Sequence, residues 1–186
     1  MKKLFLLLLL PGISFGQLKT NLEVMYSLLD SAASELILES AGLKTYSFEA
    51  GSTNRLFYNR FIAEMSSRNL VMIENGSPDL QFVIESTSVK YGDMFRKGFL
   101  GSFYVPRTIN LKGNYLLMEG NRFKEFDLVY SDSIEVDNIP EVENEFYPFT
   151  KGVIPPEPFF SSIIEPVIAI GTTAAAVILF FTVRSR

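Results

Sequence analysis

A run of eighteen residues without a charged side chain, residues 166–183, lies near the carboxyl end of the chain. As a helix it rises about 27 Å, close to the bilayer hydrocarbon thickness of about 30 Å. Glu165 precedes the run, and Arg184 and Arg186 follow it, which favours a cytoplasmic carboxyl end. The pattern predicts a transmembrane helix over residues 163–183 and a cytoplasmic tail over residues 184–186.

Small side chains inside this run leave alternatives open. Gly171, Thr172 and Thr173 dilute its hydrophobicity, so a buried helix of a globular core is the competing interpretation. Gly171 and Ala175, four residues apart, also allow two helices to approach closely. The pair predicts a homo-oligomer formed through this helix, although such residues are common in membrane helices for other reasons.

The amino end, MKKLFLLLLLPGISFGQ, has the layout of a secretory signal peptide. Two lysines precede an apolar run, and a Pro11-Gly12 break is followed by small residues that place cleavage after Gly16. An uncleaved anchor or a core strand is the alternative. The absence of cysteine excludes a bacterial lipoprotein anchor. Together the two ends predict a single-pass protein of the bacterial cytoplasmic membrane, with its domain in the periplasm and the bilayer as a partner.

The composition of the 186-residue chain argues against several classes of function. The chain has no cysteine and no histidine, so it has neither a thiolate nucleophile nor the usual proton shuttle and metal ligand. A pI near 5.0 argues against a nucleic-acid partner. No catalytic motif is present. We therefore expect a protein that is not an enzyme and has no cofactor, metal site or catalytic residue.

Residues 17–137 have the periodicity of one folded domain. A capping box at Thr20 and Glu23 opens an amphipathic helix, and KTYSFEA alternates as a strand. A second helix extends through Arg68, with Ser52 and Thr53 as its cap. Further strands follow, including a long hairpin that turns at residues 119–121. The prediction is an α+β fold, with a mostly antiparallel sheet of four to five strands and two helices on one face.

The order of strand, helix and paired strands opened by Asp79 in PDLQFVIESTSVKY resembles two groups of bacterial periplasmic domains. These are domains of the curli-secretion-channel type and of the lipoprotein activators of cell-wall synthases. The resemblance covers about residues 44–91. It implies a role in envelope assembly or partner binding without catalysis. Those families are usually lipid-anchored at a cysteine, which this chain lacks.

A proline-rich segment over residues 138–162 follows the domain and shows no periodicity. Such a composition favours an extended, semi-rigid linker. Its aromatic residues Phe146, Tyr147 and Phe149 offer the alternative that part of the segment packs on the domain.

Residues 92–106, GDMFRKGFLGSFYVP, combine three glycines with many apolar side chains. They form either an exposed loop that contacts a partner or a core strand with a bulge at Gly101. Basic residues of this segment and the following hairpin add a second candidate surface. The predicted contact residues are Phe95, Phe99, Leu100, Phe103, Tyr104, Arg96, Lys97 and Arg107.

The sequence thus predicts a binding or scaffolding protein of an envelope or secretion assembly, with an envelope protein as its partner. The rival hypothesis is an enzyme that acts on envelope carbohydrate through carboxylates such as Asp132 and Glu135. Those two residues lie in an acidic stretch without a basic residue between Lys124 and Lys151. A solvated acidic flank explains the same stretch, since paired catalysis needs two carboxyl groups in one cleft.

Overall fold

The computed structural model describes residues 18–39, 42–51, 55–98, 101–158 and 161–184, and the predicted signal peptide lies outside these ranges. The helices are α1 (Asn21–Glu39), α2 (Leu56–Ser67), α3 (Ile139–Val142) and α4 (Ser161–Arg184). The strands are β1 (Thr45–Ala50), β2 (Val71–Met72), β3 (Leu80–Tyr91), β4 (Phe95–Arg96), β5 (Phe103–Leu117) and β6 (Arg122–Glu135). Short 3-10 turns occupy Val136–Asn138 and Pro148–Thr150.

The six strands form one mixed sheet. Strand β1 pairs in parallel with β2 on one side and with β3 on the other. Strands β3 and β4 both pair antiparallel with one side of β5. Strand β6 pairs antiparallel with the other side of β5. The prediction of a mostly antiparallel sheet with four to five strands and two helices is therefore wrong. The physical reason is the crossover through α2, which returns the chain so that β2 runs parallel to β1. Residues 73–79 then lead to β3 on the far side of β1.

Helix α4 contains the residues of the predicted membrane anchor. Within the residues that the structure describes, no helix combines the length and apolarity needed to cross a bilayer. The prediction of a transmembrane helix over residues 163–183 is therefore wrong. The single-pass topology was predicted from this helix and loses its support. Gly171, Thr172 and Thr173 interrupt the apolar part of α4, and the two threonine hydroxyls donate to carbonyl oxygens one turn earlier at 2.9 and 2.7 Å.

Helix α1 begins where the capping box predicts it. The backbone N–H of Thr20 donates to Glu23 Oε2 at 2.8 Å, and the Glu23 N–H donates to Thr20 Oγ1 at 3.2 Å. These reciprocal bonds satisfy N–H groups that the first helical turn leaves unpaired. The helix buries one stripe, which includes Met25, Leu29 and Leu36.

The core lies between the sheet and the two long helices of the domain. Phe61 of α2 stacks against Phe48 of β1 and Phe82 of β3, with ring centroids 4.8 and 4.4 Å apart, and Phe82 in turn stacks on Phe126 of β6 at 5.2 Å. Gly113 of β5 makes room for the last ring, because a Cβ there would lie 2.4 Å from Phe126 Cζ. This aromatic row ties α2 to strands that lie far apart in the sequence.

The first part of the predicted linker packs on the domain. Ile139 and Val142 of α3 are each only 1% exposed, and the Phe149 ring lies 5.8 Å from Phe57. Burial of the two aliphatic side chains makes α3 part of the hydrophobic core. Residues 151–158 have no regular secondary structure.

Strand β6 forms an edge of the sheet. It pairs with β5 without a register shift from Arg122 opposite Leu117 to Glu135 opposite Tyr104. The two strands are joined at the predicted turn, where Gly120 and Asn121 have φ values of 76° and 47°. In the described part of the chain no second strand pairs with β6.

Candidate partner-binding site

Strands β4 and β5 form a short hairpin from part of the predicted contact segment. Phe95 lies opposite Tyr104, and Arg96 lies opposite Phe103. A Cβ on Gly101 would lie 1.9 Å from the Lys97 carbonyl oxygen, so the return of the chain requires glycine at this position. Gly101 therefore permits the pairing of β4 with β5 at the end of the sheet.

Aromatic and cationic side chains of this hairpin contact one another across the strands. The Phe95 and Tyr104 rings stack with centroids 5.9 Å apart and planes inclined by 27°. The Arg96 guanidinium lies 4.3 Å from the Phe103 ring centroid, and Lys97 Nζ lies 5.7 Å from that of Tyr104. We call these five residues the hairpin patch.

Tyr104 connects the patch to β6. Its hydroxyl donates to Glu135 Oε1 at 2.6 Å, and this hydrogen bond, followed by desolvation, raises the pKa of Tyr104. The phenol is thus held between a carboxylate at its tip and the Phe95 ring at its face. Such restraint lowers the entropy that a side chain loses when it binds a partner.

The patch contains five of the eight predicted contact residues. Phe95 is 42% exposed, Lys97 is exposed, and the remaining three are partly buried. Phe99 and Leu100 lie outside the described residues. Residues 92–106 were predicted to be either an exposed loop or a core strand. Their described part instead contains the two-residue strand β4 and the start of β5.

Arg107 does not belong to the patch. It is 0% exposed, and its guanidinium makes a two-pronged ion pair with Asp132, with Nε to Oδ1 at 2.8 Å and Nη2 to Oδ2 at 2.5 Å. Its Nη1 donates to the Lys19 carbonyl oxygen and to Asn21 Oδ1, both at 2.9 Å. The arginine predicted to contact a partner therefore organises the interior.

Asn21 extends this buried network to the carboxyl side of the domain. Its Nδ2 donates to the Tyr91 hydroxyl at 3.1 Å and to the Thr150 carbonyl oxygen at 2.7 Å. Burial is the main cause that raises the pKa of Tyr91 to about 12. Sequence reasoning missed Asn21 because its partners lie 70, 86 and 129 positions away.

Other basic residues of the second candidate surface are paired within the domain. Lys112 Nζ lies 2.7 Å from Asp127 Oδ2 on the neighbouring strand, and Lys124 Nζ lies 3.3 Å from Glu35 Oε1 on α1. These pairs reduce the excess positive charge that the sequence suggests along the β5–β6 hairpin.

Asp132 and Glu135 lie on opposite faces of β6, because strand side chains alternate and the two residues are three positions apart. Asp132 accepts hydrogen bonds from Arg107 and from the Tyr130 hydroxyl, the latter at 3.2 Å, whereas Glu135 accepts one from Tyr104. The two carboxylates therefore do not face one cleft. That the protein is not an enzyme stays a prediction.

Gly171 and Ala175 lie on α4, and both are exposed. Their role in helix packing stays a prediction.

No protein-family model matches the chain, and no curated protein matches it. Among solved structures, the chain is similar to rare lipoprotein B from Shewanella oneidensis, with a TM-score of 0.38 and 12% identity over 50% of this chain and 69% of that one. It is also similar to a minor lipoprotein from Acinetobacter baumannii, with a TM-score of 0.36 and 9% identity over 53% and 75% of the two chains. Both matched proteins are lipoproteins. Neither match shows one of the two specific families that residues 44–91 resemble.

Proposed function

We propose that this protein is an accessory binding protein of the bacterial cell envelope that docks on a partner protein through the hairpin patch. The observation that carries the proposal is the cross-strand arrangement of Phe95, Tyr104, Arg96 and Phe103 at the end of the sheet. Aromatic residues and arginine are enriched at protein interfaces and dominate their binding energy. Phe95 and Tyr104 lie on one face of the hairpin and Arg96 and Phe103 on the other, so the patch presents both kinds of side chain around the end of the sheet.

Location in the envelope is supported by the amino-terminal pattern of basic residues, apolar run and small residues over positions 1–16. Cell fractionation tests it directly. We expect the mature protein in the envelope fraction, with an amino terminus at Gln17. A product that keeps Met1 and remains in the cytoplasmic fraction contradicts the proposal.

Docking through the patch is tested by photo-crosslinking in intact cells. A photoreactive amino acid replaces Lys97 in one variant and Phe146 in the control, because Phe146 is 87% exposed and lies outside the patch. We expect a discrete protein adduct at position 97 and none at position 146. Equal adducts at the two positions, or none at either, contradict the proposal.

The energetic contribution of the patch is tested on the captured partner. Phe95→Ala removes an exposed ring from the patch, whereas Phe123→Ala removes a ring that is 59% exposed on the β6 edge. Interface hot spots cost about 2 kcal/mol or more on truncation, so we expect at least about tenfold weaker binding for Phe95→Ala. Phe123→Ala should bind as the wild type does. Unchanged binding by Phe95→Ala contradicts docking through this surface.

A further inference from the structure

Strand β6 is unusually long for an edge strand and lacks two of the usual protections against pairing, proline and bulges. It is 14 residues long, contains no proline, and follows β5 without a bulge. Edge strands usually avoid association by being short or by carrying charged side chains, proline or bulges, because their outer N–H and C=O groups are a template for another strand. Six of the fourteen side chains of β6 are charged, so a strand that pairs with it must accommodate those charges. Val129 at the middle of β6 is 57% exposed.

We propose that β6 pairs antiparallel with β6 of a second copy of this chain, so that two sheets join into one. The two-fold axis passes through Val129, which places this residue opposite itself. Such an interface is self-complementary and closed, as in the commonest class of protein dimers. It also satisfies the outer edge of both copies at once.

The charges on one face of β6 favour this partner. On the face toward α1, the basic residues Arg122 and Lys124 lie at the start of the strand and Asp132 lies near its end, whereas Glu125, Asp127 and Glu135 lie on the solvent face. On the face toward α1, antiparallel self-pairing places Lys124 of one copy diagonal to Asp132 of the other.

The register centred on Val129 brings no two like charges directly opposite each other. On the solvent face it pairs Asp127 with Ser131, Glu125 with Ser133 and Phe123 with Glu135. On the face toward α1 it pairs Leu128 with Tyr130, Phe126 with Asp132 and Lys124 with Ile134. Like charges directly opposite in a sheet are destabilising, so their absence supports this register.

Charged side chains of β6 also have partners within their own copy. Asp127 is paired with Lys112, Lys124 with Glu35, and Asp132 with Arg107. The strand edge can therefore meet a second edge without bringing together unpaired charges at these three positions.

Cysteine crosslinking tests the register in the full chain, which contains no native cysteine. Directly opposite Cα atoms in an antiparallel pair are about 4.5–5.5 Å apart, within the range that a disulfide spans. We expect Val129→Cys to give a crosslinked dimer under oxidising conditions. Ser133→Cys is the matched control on the same strand and face, where the two copies are eight residues apart along the pair, about 27 Å. It should remain monomeric on the gel.

Sedimentation of the purified protein tests whether the pairing holds without a crosslink. The wild type should sediment with twice the mass of one mature chain, and Val129→Lys should weaken association at least about tenfold because two lysines meet on the axis. Gly171→Leu should leave the dimer intact.

Four outcomes overturn the proposal. They are a wild type that is monomeric, equal crosslinking at positions 129 and 133, crosslinking of position 129 to a different protein, and loss of the dimer in Gly171→Leu but not in Val129→Lys. The last outcome would assign association to α4. None of these outcomes affects docking through the hairpin patch, which is tested separately at positions 95 and 97.

Discussion

At the scale of the residue, Arg107 shows how a cation is accommodated in the interior. Asp132 compensates its charge with two hydrogen bonds, and the Lys19 carbonyl and the Asn21 side chain accept further ones. Desolvation makes an isolated buried charge costly, so every partner matters. The sequence gives no sign of this role, because a basic residue within an alternating strand normally faces solvent.

Asp132→Ala should destabilise the domain by about 3 kcal/mol, because it leaves the buried guanidinium without its carboxylate. Asp127→Ala is the matched control, since Asp127 and its partner Lys112 are 51% and 50% exposed on the same pair of strands. Exposed pairs contribute about 1 kcal/mol or less. Chemical denaturation of both variants measures the difference, and equal losses would contradict the assigned role of Arg107.

Asp79 is a residue whose ionisation stabilises the fold. Its Oδ2 accepts hydrogen bonds from the backbone N–H groups of Lys44 and Thr45 at 3.0 and 2.9 Å. These backbone bonds, followed by the one with the Thr45 hydroxyl, lower the pKa of Asp79. A carboxyl whose pKa is lower in the folded state stabilises the fold above its unfolded pKa, about 3.9, and loses that contribution as the pH falls through the folded pKa.

Asp79→Asn should therefore destabilise the protein at neutral pH, and the difference from the wild type should shrink as the pH is lowered from about 5 towards 3. Unfolding by urea at a series of pH values measures this difference. If it stays constant down to pH 3, the hydrogen bonds of Asp79 do not depend on its charge.

At the scale of the element, local patterns predicted helices and strands well. The capping box and the 3.6-residue periodicity place α1, and the stripe of Phe57, Phe61 and Met65 identifies α2. The antiparallel pairing of β5 with β6 was also predicted, but the parallel pairing of β1 was not. The parallel position of β1 between β2 and β3 depends on where the crossover through α2 packs, and periodicity within a strand does not contain that information.

Gly113→Ala should destabilise the central sheet. The added Cβ would lie 2.2 Å from the Val83 carbonyl oxygen and 2.4 Å from the Phe126 ring, so the backbone or the aromatic row must shift. Overpacking of this kind costs about 1–3 kcal/mol.

Gly51→Ala provides the control, because nothing lies within 4 Å of an added Cβ at that position. Thermal unfolding of the two variants compares their stability. An unchanged Tm for Gly113→Ala would mean that the β5 backbone adapts without loss of packing.

At the scale of the whole molecule, the candidate site was partly predictable. The composition of residues 92–106 identified the hairpin patch, because glycine and aromatic residues together are unusual within one strand. The exclusion of Arg107 was not predictable, because it depends on Asn21 and Asp132, which only the folded chain brings together. The same holds for α3, whose short apolar pattern lies within a segment of proline-rich composition.

The carboxyl-side segment contributes to the stability of the domain. A chain cut after residue 138 should lose the buried side chains of Ile139 and Val142, each of which contributes about 1.5–3 kcal/mol. A chain cut after residue 158 keeps both side chains and the Asn21–Thr150 bond, so its domain should unfold at nearly the temperature of the full chain. Circular dichroism measures both. Equal Tm values for the two shortened chains would contradict this role.

The hydrogen bond between Asn21 and Thr150 affects how the domain responds to mechanical force. Its side chain joins the start of α1 to the Thr150 carbonyl, so the polypeptide enters and leaves the domain at neighbouring points. Tension between these two flanks would load this small junction before it reached the long strands. The hydrogen bond between Asn21 and Thr150 would then break before the strands of the sheet separate.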